Sequence, residues 1–138
     1  METIAQKQAE LIVLYNGLED PLMQYEFLLQ LAGETPAPEK REETARIRNC
    51  QTDSWFQMKE KDGYFFLRVD SESLLIRGVL SIYVYLLDGR KLREVVSTPL
   101  DFMEKTTISG QLTRSRFRVL AALPEQIRQF CREHIREE

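Results

Sequence analysis

Cys50 is the side chain in this sequence best suited to chemistry. A cysteine thiolate is a strong nucleophile. Cys50 stands in the run Arg48-Asn49-Cys50-Gln51-Thr52-Asp53, which is too polar for a core position and reads as a loop. That reading competes with the ordinary fate of a free cysteine, a small buried hydrophobe. A nearby cation favours the thiolate. Arg48 is close in sequence, and Arg114 or Arg116 are candidates for delivery by the fold. Cys131 is the other cysteine. It falls on the apolar side of a helical stretch beside Ile127 and Phe130, a structural setting. His134 is the one histidine, close to a helix C-terminus where its charge suits the helix dipole. One histidine and two cysteines exclude a multi-histidine metal centre, a disulfide scaffold and cysteine-rich zinc sites.

Other polar groups have local readings. Asp70-Ser71-Glu72 is first of all a helix cap. Arg114, Arg116 and Arg118 form an Arg-x-Arg-x-Arg run, which is a solvated helix start or a contact for an anion or partner. The aromatic stretch from Trp55 to Phe66 reads as sheet packing rather than a ligand platform.

A chain of 138 residues suits one domain spanning 1–138. With 43% hydrophobic and 30% charged residues it should make its own core without metal or disulfide. The net charge of −3 hides an asymmetry: Met1–Ala45 carries nine acids and three bases, and the remainder thirteen acids and sixteen bases. The basic part lacks the dense Lys/Arg stripe and stacking platform of a nucleic-acid binder, so no nucleic-acid partner is expected. Arginine supplies thirteen of the nineteen bases, which favours directed contacts to carboxylates or phosphates. No apolar run spans a bilayer and the start has no secretory pattern, so the expectation is a cytoplasmic protein without membrane contact.

The elements that must position Cys50 follow from local chemistry. Ile4, Leu11, Ile12 and Tyr15 fall at helical spacing over Thr3 to Tyr15. Asp20 as N-cap, Pro21 at the first position and Gly33 at the end bound a second helix. Its broad face is Leu22, Tyr25, Leu28, Leu29 and Ala32, and the two helices are expected to pack as a hairpin. Glu34 to Arg48 reads as a loop with a short helical piece near Glu39 to Thr44. Ser54–Lys59 and Tyr64–Val69 are strand-like around an Asp-Gly turn over Glu60 to Gly63, with a third short strand expected near Ile47. Asp70 to Ser73 caps an apolar segment, Leu74 to Leu87, whose length favours a buried helix despite its β propensity. Helices are expected at Leu92–Ser97 and Asp101–Ile108, and Leu112 to Arg116 reads as a basic turn into a final helical region that Pro124 restarts. The fold class is α+β: a small antiparallel sheet of two to three strands packed against several helices.

These residues also resemble a known family. Asn49-Cys50-Gln51-Thr52-Asp53-Ser54-Trp55 is similar to the Gly-Cys-Gln-Ser-x-x-Trp motif of SufE proteins, sulfur acceptors for cysteine desulfurases. Asp70-Ser71-Glu72 with Ile76-Arg77-Gly78-Val79-Leu80 resembles a second family segment, and Leu112-Thr113-Arg114-Ser115-Arg116 a third. The likeness runs from Pro21 to Leu123. Asn49 stands in place of the motif glycine, Gln24 where a basic residue is usual, Arg114 in place of proline, and Thr35-Pro36 for Leu-Pro. Asn tolerates positive φ better than most residues, so Asn49 can keep the loop conformation.

The resemblance implies a SufE/IscU-like sandwich and a divergent member. It implies a persulfide carrier: Cys50 takes sulfur from a pyridoxal-phosphate cysteine desulfurase, stimulates that enzyme and passes sulfur to an iron–sulfur assembly scaffold. Asn49, Gln51, Glu72, Arg77 and Arg116 are its supporting or partner-contact residues, and no bound cofactor is needed. On this reading the protein is an acceptor and activator rather than an enzyme. The sulfur should turn inward in the free protein, near Leu75, Ile76 and Val79, and be released on docking. Three alternatives stand beside it. One is a binding module that kept the fold without transfer. The second is an iron–sulfur or zinc scaffold, which would want three cysteines. The third is a thiol hydrolase, which would want His134 near Cys50.

Overall fold

The computed structural model describes residues 2–135. In chain order it contains α1 (Ile4–Gly17), α2 (Pro21–Glu34), a 3-10 turn at Glu43–Ala45, β1 (Ser54–Lys61), β2 (Tyr64–Ser71) and α3 (Leu74–Leu87). There follow β3 (Arg90–Lys91), α4 (Leu92–Ser97), α5 (Phe102–Lys105), a 3-10 turn at Thr107–Gln111, α6 (Arg114–Ala121) and α7 (Leu123–His134).

Side chains set most of the helix starts. Thr3 and Gln6 form a capping box on α1, Asp20 accepts from the Leu22 N–H ahead of α2, and Ser73 accepts from the Ile76 N–H ahead of α3. The two first helices do not pack as the expected hairpin. α2 lies along α3 instead, so its buried stripe is Gln24, Leu28 and Ala32, while Leu22 and Tyr25 face solvent. Gln24 is buried because its amide serves the end of α1: Nε2 donates to Leu18 O at 2.6 Å, and Oε1 accepts from the Thr107 hydroxyl at 3.1 Å. The close approach of α2 and α3 depends on Gly78, where a Cβ would stand 2.3 Å from the Leu28 carbonyl oxygen.

The sheet is antiparallel in the order β1-β2-β3. Asp62 (φ 55°) and Gly63 (φ 84°) both adopt positive φ, the signature of a two-residue I′ turn whose backbone twist matches the flanking strands. The first strand consequently runs to Lys61, beyond its expected end at Lys59, and the second begins at Tyr64 as expected. The third strand is not at Ile47. That segment makes a single bridge, Arg46 to Trp55, before the backbone turns away at Asn49. Arg90–Lys91 pairs with Tyr64 and Phe65 on the opposite edge, admitted by the Gly89 turn at φ 78°.

Phe65, Leu67 and Val69 of β2 and Phe56 of β1 face the helices, against Ile76, Val79, Leu80 and Tyr83 of α3. The Tyr83 ring meets Phe56 and Phe102 edge-on, and its hydroxyl donates to Leu120 O at 2.9 Å, locking α6 to the core. α3 is therefore the central helix, with the sheet on one side and α2 on the other. Among the described residues no helix is long and apolar enough to cross a membrane.

Candidate functional site

β1 begins at Ser54, at the end of the sheet remote from the Asp62-Gly63 turn, and the segment leading into it carries Cys50. Its base is closed by the Ile47 N–H donating to Ser54 O at 2.8 Å. Asn49 then takes φ 64°, the left-handed region where Asn and Gly are at home, and hands the chain to Cys50. Cys50 is half-buried.

The sulfur faces a hydroxyl network. Cys50 Sγ lies 3.8 Å from Ser54 Oγ, and Ser54 is fully buried. Ser54 gives its proton to Thr52 O at 3.1 Å, so in the 2.8 Å contact between Ser54 and Ser71 it is Ser71 that donates. Ser71 Oγ in turn accepts from the Ser73 N–H at 3.1 Å, and Ser73 caps α3. A chain of hydroxyls thus ties the cysteine loop to the start of the central helix.

Two arginines hold the far half of the loop. Arg116 Nη2 donates to Thr52 Oγ1 at 2.7 Å, delivered from the first turn of α6, which Thr113 caps. Its Nε is buried without an acceptor. Arg46 pairs with Asp53 and with Glu43, and the Asp53 carboxylate pushes the Arg46 guanidinium above its ordinary range. The Asp53 carbonyl accepts from the Glu72 N–H at 3.0 Å. By contrast, the side chains of Arg48, Asn49 and Gln51 are exposed and make no hydrogen bond or ion pair among the described residues. The loop is anchored at Thr52–Asp53 and free ahead of Cys50.

The expected site residues divide accordingly. Asn49, Cys50 and Gln51 share the loop, Arg116 reaches it through Thr52, and Glu72 touches it through backbone. The Glu72 carboxylate is exposed, 3.8 Å from Arg41. Arg77 is directed elsewhere: its side chain is 12% exposed, pairs with Asp70 at 3.2 Å and donates to the carbonyls of Ala32 and Thr35, closing the end of α2. Cys131 is fully buried on α7, and burial pushes its thiol up to about 11. His134 stacks on Phe130 and lines a cavity with Asp62 and Gly63, at the opposite end of β1 from Cys50. An eight-residue strand spans roughly 25 Å, so the base of a thiol hydrolase is missing from the site. Among the described residues no cluster of three His, Cys, Asp or Glu side chains could hold a metal ion, which leaves the scaffold alternative without a ligand set.

Reading the residues in order missed Ser54, Arg46 and Asp53. Ser54 had one signal: it opens a strand on the face that alternation assigns to Phe56 and Met58, an inward place for a hydroxyl.

The chain is similar to known proteins over most of its length. A family model described as SufE, Fe-S metabolism associated domain, matches residues 9–131. The cysteine desulfuration protein SufE of Wigglesworthia glossinidia brevipalpis is 27% identical over 130 residues, covering 91% of this chain and 90% of that one. An uncharacterised SufE-like protein of Synechocystis sp. is 26% identical over 116 residues, covering 83% of this chain and 73% of that one. The solution structure of a hypothetical protein from Thermus thermophilus superimposes with a TM-score of 0.76 at 20% identity, covering 92% of this chain and 94% of that one; it is a likeness of fold.

Proposed function

The chain belongs to the SufE family, and from that premise we propose that it is a sulfur carrier of iron–sulfur metabolism working through Cys50. The donor is a cysteine desulfurase holding sulfur as a persulfide on its own cysteine. The Cys50 thiolate attacks the outer sulfur of that persulfide. A new S–S bond forms at Cys50, the S–S bond of the donor breaks, and the donor cysteine leaves as thiolate. One sulfur atom moves with no net oxidation, and the proton lost by Cys50 is balanced by the one the donor thiolate regains. Cys50 then presents the sulfur to an iron–sulfur scaffold, and unloading the donor is how the protein would stimulate its turnover. The chain 1–138 acts as one domain, and a reducing cytoplasmic setting suits two unpaired thiols.

The observation that carries this reading is the contrast between the two cysteines: Cys50 half-buried on a loop free on one side, Cys131 sealed in the core. Incubation with a cysteine desulfurase, cysteine and no reductant, followed by intact-mass analysis, tests it. Mass should rise in steps of one sulfur atom, and the Cys50→Ser variant should stay unloaded and fail to stimulate the desulfurase. Equal loading of Cys50→Ser overturns the assignment. Alkylation of Cys50 that is slow alone and fast with saturating desulfurase would support release of the loop on docking.

A further inference from the structure

Most arginines among the described residues are engaged. Arg41, Arg46, Arg68, Arg77, Arg90, Arg116, Arg128 and Arg132 each hold a carboxylate or a polar group, and Arg93 is likewise engaged. Among the described residues, the guanidiniums without a partner are Arg48, Arg114 and Arg118. All three come from the loop of Cys50 or from α6, the helix whose Arg116 holds that loop.

Two of them, Arg48 and Arg118, flank a groove of about 750 Å³ between the cysteine loop, β1 and α6. Its apolar lining comes largely from Ile47, Phe56, Met58 and Val119, and Asn49 lines it too, so an occupant would touch the residue next to Cys50. No carboxylate lines it. The acids next to its lining in sequence, Glu43 and Glu125, are taken by Arg46 and by Arg128 and Arg132.

We propose that this groove binds an acidic segment of the protein that exchanges sulfur with Cys50, with an apolar side chain seated between Ile47 and Val119 and carboxylates on Arg48 and Arg118. The proposal rests on the carrier reading for the identity of the partner. Unpaired guanidiniums suit carboxylates, and the apolar floor asks for a side chain rather than a free anion. Nucleic acid fits less well, because Phe56 is buried and offers no stacking face. Holding the partner beside Asn49 turns the attack on the persulfide into a reaction within a complex, where orientation raises the rate.

The test uses the full chain and a peptide, Glu-Glu-Asp-Leu-Phe-Glu-Glu, followed by amide chemical-shift mapping. The peptide should shift Ile47, Arg48, Asn49 and Val119, and its all-Gln counterpart should not. Arg48→Glu with Arg118→Glu should weaken binding at least roughly tenfold and should restore binding to the matching Lys peptide, which shows that the variant is folded. The same pair should raise the Kd for the desulfurase. Peptide shifts confined to another surface, or tighter binding of a single-stranded RNA of equal charge at the groove, overturn the proposal. A wild-type protein that binds the peptide but is never loaded by desulfurase sinks the carrier reading, and with it the named partner, while leaving the groove's acidic preference measured.

Discussion

Arg116 and Thr52, 64 residues apart in sequence, meet in a 2.7 Å hydrogen bond that ties the first turn of α6 to the cysteine loop. Together with the Arg46–Asp53 pair it leaves the loop hinged ahead of Cys50 and fixed behind it. Hydrogen bonds involving a charged group contribute about 1.5–3 kcal/mol when shielded and less when exposed. Arg116→Ala and Thr52→Val should each therefore cost roughly 1 kcal/mol, and the double variant little more than either single one. Amide exchange at Gln51 to Asp53 should quicken in each. Additive losses, or exchange unchanged from wild type, would show that the contact does not hold the loop.

The Asn49 backbone makes a sharper case. At φ 64° a side chain branched at Cβ is strained by about 1–2 kcal/mol, whereas glycine is not. Asn49→Gly should fold and load sulfur as wild type does. Asn49→Val should lower the urea midpoint and slow loading, since the strain falls on the residue that aims Cys50. A valine variant loading at the wild-type rate would separate the backbone turn from the function.

Much of this architecture was legible because local chemistry wrote it. Asp20-Pro21, Ser73 and Asp62-Gly63 punctuate the chain where the helices and the turn occur, and the length of Leu74–Leu87 outweighed the strand propensity of Ile82 to Tyr85. Cys50 on a polar loop and Cys131 on an apolar helix face were equally local. What was hidden depended on pairing across distance. Ser54 meets Ser71 only through strand register, and Arg46 finds Asp53 only once the loop closes. Gln24 looks like a surface residue until the end of α1 claims its amide. Two residues of β3 are too few to show alternation, so the expectation of a third strand settles on Ile47, where apolar character is visible.

Gly78 illustrates how a motif position becomes a packing requirement. A Cβ there would stand 2.3 Å from the Leu28 carbonyl oxygen, and backbone cannot rotate away as a side-chain tip can. Gly78→Ala must push α2 off α3, and overpacking of this kind costs about 1–3 kcal/mol. The shift also draws the carbonyls of Ala32 and Thr35 away from Arg77. Urea unfolding should show the loss, and Arg77→Ala on top of it should cost less than in wild type. A Gly78→Ala protein of wild-type stability would mean that the two helices have room to part.

Cys131 offers a test in which the direction with pH is set by burial. Its thiol ordinarily titrates near 9.0 and is pushed up to about 11 in the folded protein, because the sealed site disfavours the thiolate. The unfolded chain therefore releases this proton first as pH rises. Below about 9 both states hold the proton and the group contributes its full share of stability; between 9.0 and about 11 that share drains away. Cys131→Ala should be less stable than wild type at neutral pH, because it leaves a cavity beside Ile127. Its stability should nonetheless fall less steeply than that of wild type across this window, and taking the difference cancels the other alkaline titrations. The same burial makes labelling selective. Iodoacetamide at pH 8 should add one group to the native protein, at Cys50, and two after unfolding. Two adducts on the native protein, or parallel stability curves for wild type and Cys131→Ala above pH 9, would show that Cys131 opens to solvent and would remove the contrast on which the choice of Cys50 rests.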